Sequence, residues 1–345
     1  MTQSVSFHDE KELEDFLSIP QEATVEMMTR LDGDIMILGI GGKMGPTLGA
    51  MITKAVKQAG VKKNVYGVSR FSNRTLATKL EQRGITCIPC DLLNPDDVSK
   101  LPKVKNIIYM AGRKFGIKGT DYLYWAMNTM APAHAARHFI DSNIVVFSTG
   151  NVYAMWPTDS PGPSETDSLL PLGEYANSCI GRERIFEYFS NEYGTRILQY
   201  RLNYAIDLRY GVLYEIGRQV FAEIPVSLET GYANVIWQGD ANNIAARCLE
   251  YCSSPPNILN VTGEAVRVRD VAARFGELMG KEPRFAGKEA PTAFLSDTTK
   301  MNELFGPPPT QLEDMIQWIA NWIKSGGSTL DKPTHFQTRD GQFRD

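Results

Sequence analysis

Four short stretches of this 345-residue chain carry residue types that could do chemistry. The first is GIGGKMG, with glycines at 39, 41, 42 and 45, placed directly after the apolar run IMILGI and before a helix opening at Pro46 and Thr47. Glycines permit a tight turn and close backbone approach, and the amides and positive end of the following helix favour a bound pyrophosphate. Strand, glycines and helix in that order are the context in which this pattern binds a dinucleotide. Gly39, Gly41, Gly42, Lys43, Met44 and Gly45 are therefore expected to hold it. The second stretch, GVSRFSNR, follows the next apolar run, where an acidic side chain would accept a hydrogen bond from a ribose 2'-hydroxyl. Ser69 and Arg70 cannot accept in that way, whereas Arg70, with Arg74 nearby, could pair with a 2'-phosphate. NADP is the expected coenzyme, with NAD as the other option. In the third stretch, CDLL, Asp91 with Leu92 beside it is placed to meet an adenine amino group, or else caps the helix of NPDDVSKL.

The fourth stretch is EYANSCIGRE, which sets Tyr175 and Cys179 one helical turn apart. A phenol ionises near 10 and a thiol near 8.5, so at neutral pH neither gives the other a useful charge. Two other patterns look chemical and are read as structural. Cys87 and Cys90 in CIPC have no second cysteine pair and no nearby histidine, which favours strand packing over zinc. His134 and His138 stand four apart without the acidic partner of a metal helix, and no metal is expected.

These residues need elements to hold them. Apolar runs at IMILGI, VYGVS, ITCIPC, NIIYMAG, NIVVFSTG and RILQYRLN alternate with amphipathic segments such as LGAMITKAVKQAG and LYWAMNTMAPAHAARHF, and NILNVTG adds a later run. That alternation predicts an α/β fold, a doubly wound Rossmann sheet with helices on both faces. A helical extension over 1–31, a dinucleotide-binding domain over 32–204, a substrate-binding region over 205–325 with elements returning to the sheet, and a polar tail over 326–345 with little to bury complete the expected organisation.

FSTGNVY at 147–153, followed by EYANSCIGRE, resembles the extended short-chain dehydrogenase/reductase superfamily, the NAD(P)-dependent sugar epimerases and dehydratases. The likeness is specific over about 34–203 and looser over 235–323. It implies a seven-stranded parallel sheet and a smaller C-terminal part over the substrate. It also implies roles: Gly39, Gly42 and Gly45 as the G-x-x-G-x-x-G glycines, Thr149 and Tyr175 as the catalytic hydroxyl and phenol, and Asn128 in WAMNTMAP as the asparagine of the fourth helix. Ala111 and Gly112 are expected to pass the nicotinamide ribose, and Tyr175 to touch coenzyme as well as substrate. Arg113, Lys114, Asn151 and Asn203 are the expected substrate contacts.

The pattern departs from the family at one place, where a lysine four residues after the tyrosine is replaced by Cys179. A lysine there would favour phenolate; a neutral thiol supplies no cationic field. Arg182 lies about 10 Å along the helix axis from Tyr175 and would reach only by bending back. Arg113 and Lys114, at the carboxyl end of the fourth strand, are the expected source of positive charge, either for Tyr175 or for an anionic substrate such as a sugar acid, with Lys114 joining Tyr175, Thr149 and Asn128 in the catalytic set.

Net charge of -4 and a pI near 5.7 give no basic field for nucleic acid or an anionic membrane. The start, MTQSVSFHDEKELEDF, lacks a basic and apolar leader pattern, and five sparse cysteines do not make a disulfide framework, so a cytoplasmic setting is expected. The expected partner is a small molecule, with a homodimer as one option for assembly. The function read from all this is an NAD(P)-dependent oxidoreductase or epimerase acting on a sugar or a sugar-derived polyol or acid. The alternative is a coenzyme-binding sensor or assembly protein whose catalysis has degenerated.

Overall fold

The computed structural model describes residues 6–114 and 119–342. The seven apolar runs become β1 (Ile35–Leu38), β2 (Val65–Ser69), β3 (Thr86–Pro89), β4 (Asn106–Tyr109), β5 (Asn143–Thr149), β6 (Arg196–Leu202) and β7 (Asn257–Val261). They form one sheet in the order β7-β6-β5-β4-β1-β2-β3, parallel at every pairing. The chain thus builds outward from β1 to β3, then returns past β1 to β4. Where the winding reverses, between β1 and β4, loops part and leave a crevice at the carboxyl ends of the strands.

Both faces of the middle of the sheet are covered, which is why β1, β4 and β5 are mostly apolar instead of alternating. Ile35 and Ile37 of β1 and Val145 and Phe147 of β5 pack on one side with Leu48 and Ile52 of the Gly45–Gln58 helix. Met36, Leu38, Ile144 and Val146 face the other side and meet Ala135, Phe139 and Phe186. The helix over 122–138 is irregular at Ala126–Met130, which takes wider π-type turns. Pro132 stands four residues after Asn128 and has no N–H to give its carbonyl, so a local widening of the helix is the natural accommodation.

A second core lies beside the sheet. It gathers Leu13 and Leu17 from the Glu10–Leu17 helix, Val212 and Ile216 from Val212–Phe221, Phe275, and Ile316 and Ile319 from Leu312–Lys324. Phe336 joins it at 1 % exposure, and Thr334 is buried as well. The tail expected to have little to bury is therefore anchored: one phenyl group removed from water contributes roughly 1.5–3 kcal/mol. Composition misled here because one aromatic among polar residues is enough to tie a segment down.

Candidate active site

The carboxyl ends of β1, β4, β5 and β6 deliver their next residues to one crevice. β1 runs into Gly39, whose φ of +90° is strained for any other residue and whose missing Cβ would lie 2.6 Å from the Ala111 amide nitrogen. A Cβ at Gly45 would drive into the Ile40 backbone, so the loop can only fold back on itself with glycine there. The helix that follows has no side-chain cap at its N-terminus, leaving its first amides to another acceptor.

Two cavities open from this loop and share Gly39, Gly42 and Met110. The first, about 260 Å³, is walled by Gly45, Lys43 and Met44 on the loop side and by Lys114, Thr149, Asn151, Tyr175 and Asn203 on the other. The second, about 230 Å³, is lined by Gly41, Ser69, Arg70, Asp91, Leu92, Ala111 and Gly112. Asp91 does not cap the following helix; Asn94 does, accepting from the Asp96 amide at 3.0 Å, while Asp91 closes its own turn on the Leu93 amide. Arg70 and Arg74 are both exposed. Lys43 was expected at the phosphates, yet its Nζ crosses the crevice, donating to the Ala205 carbonyl at 2.9 Å and lying 3.9 Å from the centre of the Tyr210 ring.

Arg113 lines neither cavity. Its backbone is clamped by Asn128, whose Oδ1 accepts from the Arg113 amide (3.0 Å) and whose Nδ2 donates to the Arg113 carbonyl (3.1 Å) and to Ser178 Oγ (2.9 Å). Ser178 in turn donates to the Tyr175 carbonyl at 2.8 Å. The π-type turn thus points one fully buried amide at both the strand end and the helix carrying the phenol.

At the reacting end, Tyr175 sits in the first turn of the Gly173–Tyr193 helix and is hydrogen-bonded to Thr149, the last residue of β5. Thr149 Oγ1 donates to Asn151 Oδ1 (3.1 Å) and accepts from the Asn151 amide (3.2 Å). Burial pushes the Tyr175 phenol well above its ordinary value, Cys179 adds to that push, and Arg182 opposes it. Arg182, which could reach the site only by bending back, does bend back, donating to the Phe147 carbonyl (2.6 Å) and to Asn128 Oδ1 (2.5 Å). Gly112 gives it room, since a Cβ there would collide with the guanidinium. Lys114, the expected cation, lines the same cavity as Tyr175; burial lowers it to about 8, while Glu215 and Cys179 act in the opposite sense. Cys179 is fully buried beside Val152 and Tyr153, its thiol pushed up by burial.

Beneath the pair lies a network that sequence reasoning only touched. Glu183 is 2 % exposed and takes two bonds from Arg201 (3.0 and 2.7 Å) and one from Ser148 Oγ (2.5 Å). Arg201 also donates to the Tyr153 hydroxyl, which donates to Asn260 Oδ1. The signal was Gln199 and Arg201, polar side chains inside the buried strand RILQYRL. Tyr204, Tyr210 and Thr334 also wall the first cavity and were not anticipated. The two histidines bond backbone carbonyls, His134 to Leu92 and His138 to Leu101. No helix among the described residues is long and apolar enough to cross a membrane.

By fold, the chain groups with sugar-nucleotide epimerases and dehydratases. A UDP-glucuronic acid 4-epimerase from Bacillus cereus, solved with NAD, matches at TM-score 0.69 and 18% identity over 85% of this chain and 99% of its own. A dTDP-glucose 4,6-dehydratase from Streptomyces venezuelae, with NAD bound, matches at 0.71 and 14% over 85% and 97%. A UDP-glucose 4-epimerase from Thermus thermophilus in complex with NAD matches at 0.65 and 19% over 84% and 99%. At such identities the likeness is one of fold. No protein-family model and no curated protein matches the sequence.

Proposed function

We propose that this protein is an NAD(P)-dependent oxidoreductase or epimerase of the extended short-chain dehydrogenase type, acting on a sugar or a sugar-derived polyol or acid. The observation that carries the reading is the continuity of the crevice: one glycine loop borders both cavities, so a dinucleotide cradled there would extend toward the Thr149–Tyr175 pair. The coenzyme, when bound, supplies or takes up the hydride. The chain's own residues handle the proton. A substrate carbonyl oxygen accepting hydrogen bonds from Thr149 and Tyr175 receives the phenolic proton as the carbon gains hydride; in the other direction the phenol must first be drained of its proton.

Burial favours the neutral phenol, so reduction is the direction for which the free site is poised. Arg182, held beneath by Asn128 and Phe147, is a cation whose field favours phenolate at Tyr175. Arg70 at the end of β2 supports a preference for NADP, while the matched structures carry NAD, so both coenzymes belong in the test. The uncharged Cys179 favours a second reading, a coenzyme-binding protein that no longer turns over.

Fluorescence titration with NADPH and NADH, then absorbance assays over sugars, polyols and sugar acids, tests both. The expected result is coenzyme binding, turnover, and a loss of roughly 10²–10⁴-fold in kcat for Tyr175→Phe with coenzyme affinity unchanged. Binding without turnover of any compound favours the second reading, and no binding removes both.

A further inference from the structure

Arg182 is a charge kept where charge is costly. It is 5 % exposed and stands two turns beyond Tyr175 on the Gly173–Tyr193 helix. Among the described residues it makes no ion pair, and the adjacent carboxylate, Glu183, is taken by Arg201 at 2.7 Å. Its partners are two uncharged oxygens, the Phe147 carbonyl and Asn128 Oδ1, and its Nε has no acceptor among the described residues. A guanidinium in that state has lost water without gaining an acid, which is a standing cost to the fold. The chain nonetheless makes room for it: Gly112 is the residue against the guanidinium, and the fully buried Asn128 is spent on it and on the Arg113 backbone.

Burial raises the phenols of Tyr175 and Tyr109 and the thiol of Cys179, and Arg182 opposes the rise in all three. Of these, Tyr175 lines the first cavity beside Thr149, whereas Tyr109 and Cys179 line neither cavity. The other charges around the first cavity are of both signs. Glu215 acts on Lys43 and on Lys114, and Asp207, which also acts on Lys43, is paired with Arg209 at 2.9 Å.

We propose that Arg182 is a positioning residue for the proton transfer, buried on uncharged tethers so that its counter-charge is the Tyr175 phenolate. The proposal rests on the functional reading above and adds to it the group that balances the charge left when the phenolic O–H bond breaks. As the substrate carbon gains hydride, the proton passes from Tyr175 Oη to the substrate oxygen, and the phenolate left behind meets a cation already in place. In the other direction the same cation holds the phenolate that accepts the hydroxyl proton. A carboxylate on Arg182 would cancel that field, and a neutral tether such as Asn128 leaves it intact. Cys179 fits the same logic, because a neutral thiol sets no like charge beside the guanidinium.

The full chain is labelled with tyrosine carrying carbon-13 at Cζ, the Tyr175 resonance is assigned with Tyr175→Phe, and its titration is followed by NMR up to the pH at which each protein unfolds. Arg182→Met should keep Tyr175 protonated to a pH about 1–3 higher than in the unaltered protein, or up to unfolding, while Arg182→Lys should recover part of that change. Removing a buried charge held by uncharged partners relieves its desolvation, so the Tm of Arg182→Met at pH 7 should hold within about 2 °C or rise. Lys114→Met should move the titration less than Arg182→Met does. Equal titration in the unaltered protein and Arg182→Met, including none in either before unfolding, overturns the proposal. So does no recovery in Arg182→Lys, a larger change in Lys114→Met, or a fall in Tm beyond about 2 °C, the mark of a structural arginine. These readouts need no substrate: a changed titration without turnover of any sugar, polyol or sugar acid fells the functional reading, whereas an unchanged titration with turnover fells only this proposal.

Discussion

The two halves of the crevice are made differently. Around Gly39, Gly42 and Ala111 the surface is shaped by glycines and an uncapped helix, and of the charged side chains nearby Arg70 is exposed and Asp91 half-buried. Around Tyr175 the surface is side chain, and each group is set by buried partners drawn from distant parts of the chain: Asn128, Phe147, Arg182 and Thr334. A backbone cradle tolerates neighbours of many kinds, because only the turn must be right. A buried side-chain constellation fails when one partner is lost, because the remaining charge or carbonyl is left unsatisfied.

This contrast can be broken at several points. Arg201→Met leaves Glu183 charged and buried, and should cost about 3–5 kcal/mol in denaturant unfolding while coenzyme affinity in the surviving folded fraction is retained. If the loss is under about 1 kcal/mol, the half of the crevice around Tyr175 is not as interdependent as described. Gly39→Ala should cost roughly 1–2 kcal/mol from its positive φ, with further loss from the clash on Ala111, and coenzyme affinity should fall about tenfold; fluorescence titration reads it.

A subtler difference is visible in pH. Burial lowers Lys43 to about 7 and Lys114 to about 8, so above those values the native chain holds fewer protons than the unfolded one. Stability of the coenzyme-free protein should therefore rise between about pH 7 and 9, after which buried thiols and phenols, which keep their protons longer when folded, oppose it. Melting curves of Lys43→Met should show a shallower rise; an unchanged slope would mean these groups are solvated. The smallest change is expected from Arg70→Ala, an exposed residue. It should leave Tm within a degree or two and reduce the preference for NADPH over NADH by about tenfold, as measured by the ratio of their Kd values.

The same division governs what the sequence disclosed. The strands could be read from largely apolar runs, because burial on both faces of the middle of the sheet leaves little polar alternation, although β6 carries Gln199 and Arg201 and β3 at the edge is partly exposed. The glycine loop was legible because its chemistry is local, each residue acting within a few positions of its neighbours. Arg182 was not, since whether a long side chain bends back depends on where Asn128 and the Phe147 carbonyl lie in space. Arg113 and Lys114 sit where expected along the chain, but the amide of Asn128 fixes the backbone of the first, and the second faces Glu215 and Thr334. Thr334 left no trace in the sequence: nothing in KPTHFQ announces that a single phenylalanine pins the strand of chain on which it sits.

The second core joins Leu13 near one end of the sequence to Phe336 near the other. Closing a loop of that length is entropically slow, whereas β1, the glycine turn and β2 are neighbours along the chain. Refolding should then proceed in two kinetic stages, the glycine loop and its strands maturing ahead of the chamber walled by Tyr210 and Thr334. A molecule caught between those stages would already have its glycine loop formed but lack the wall that Thr334 gives the first cavity.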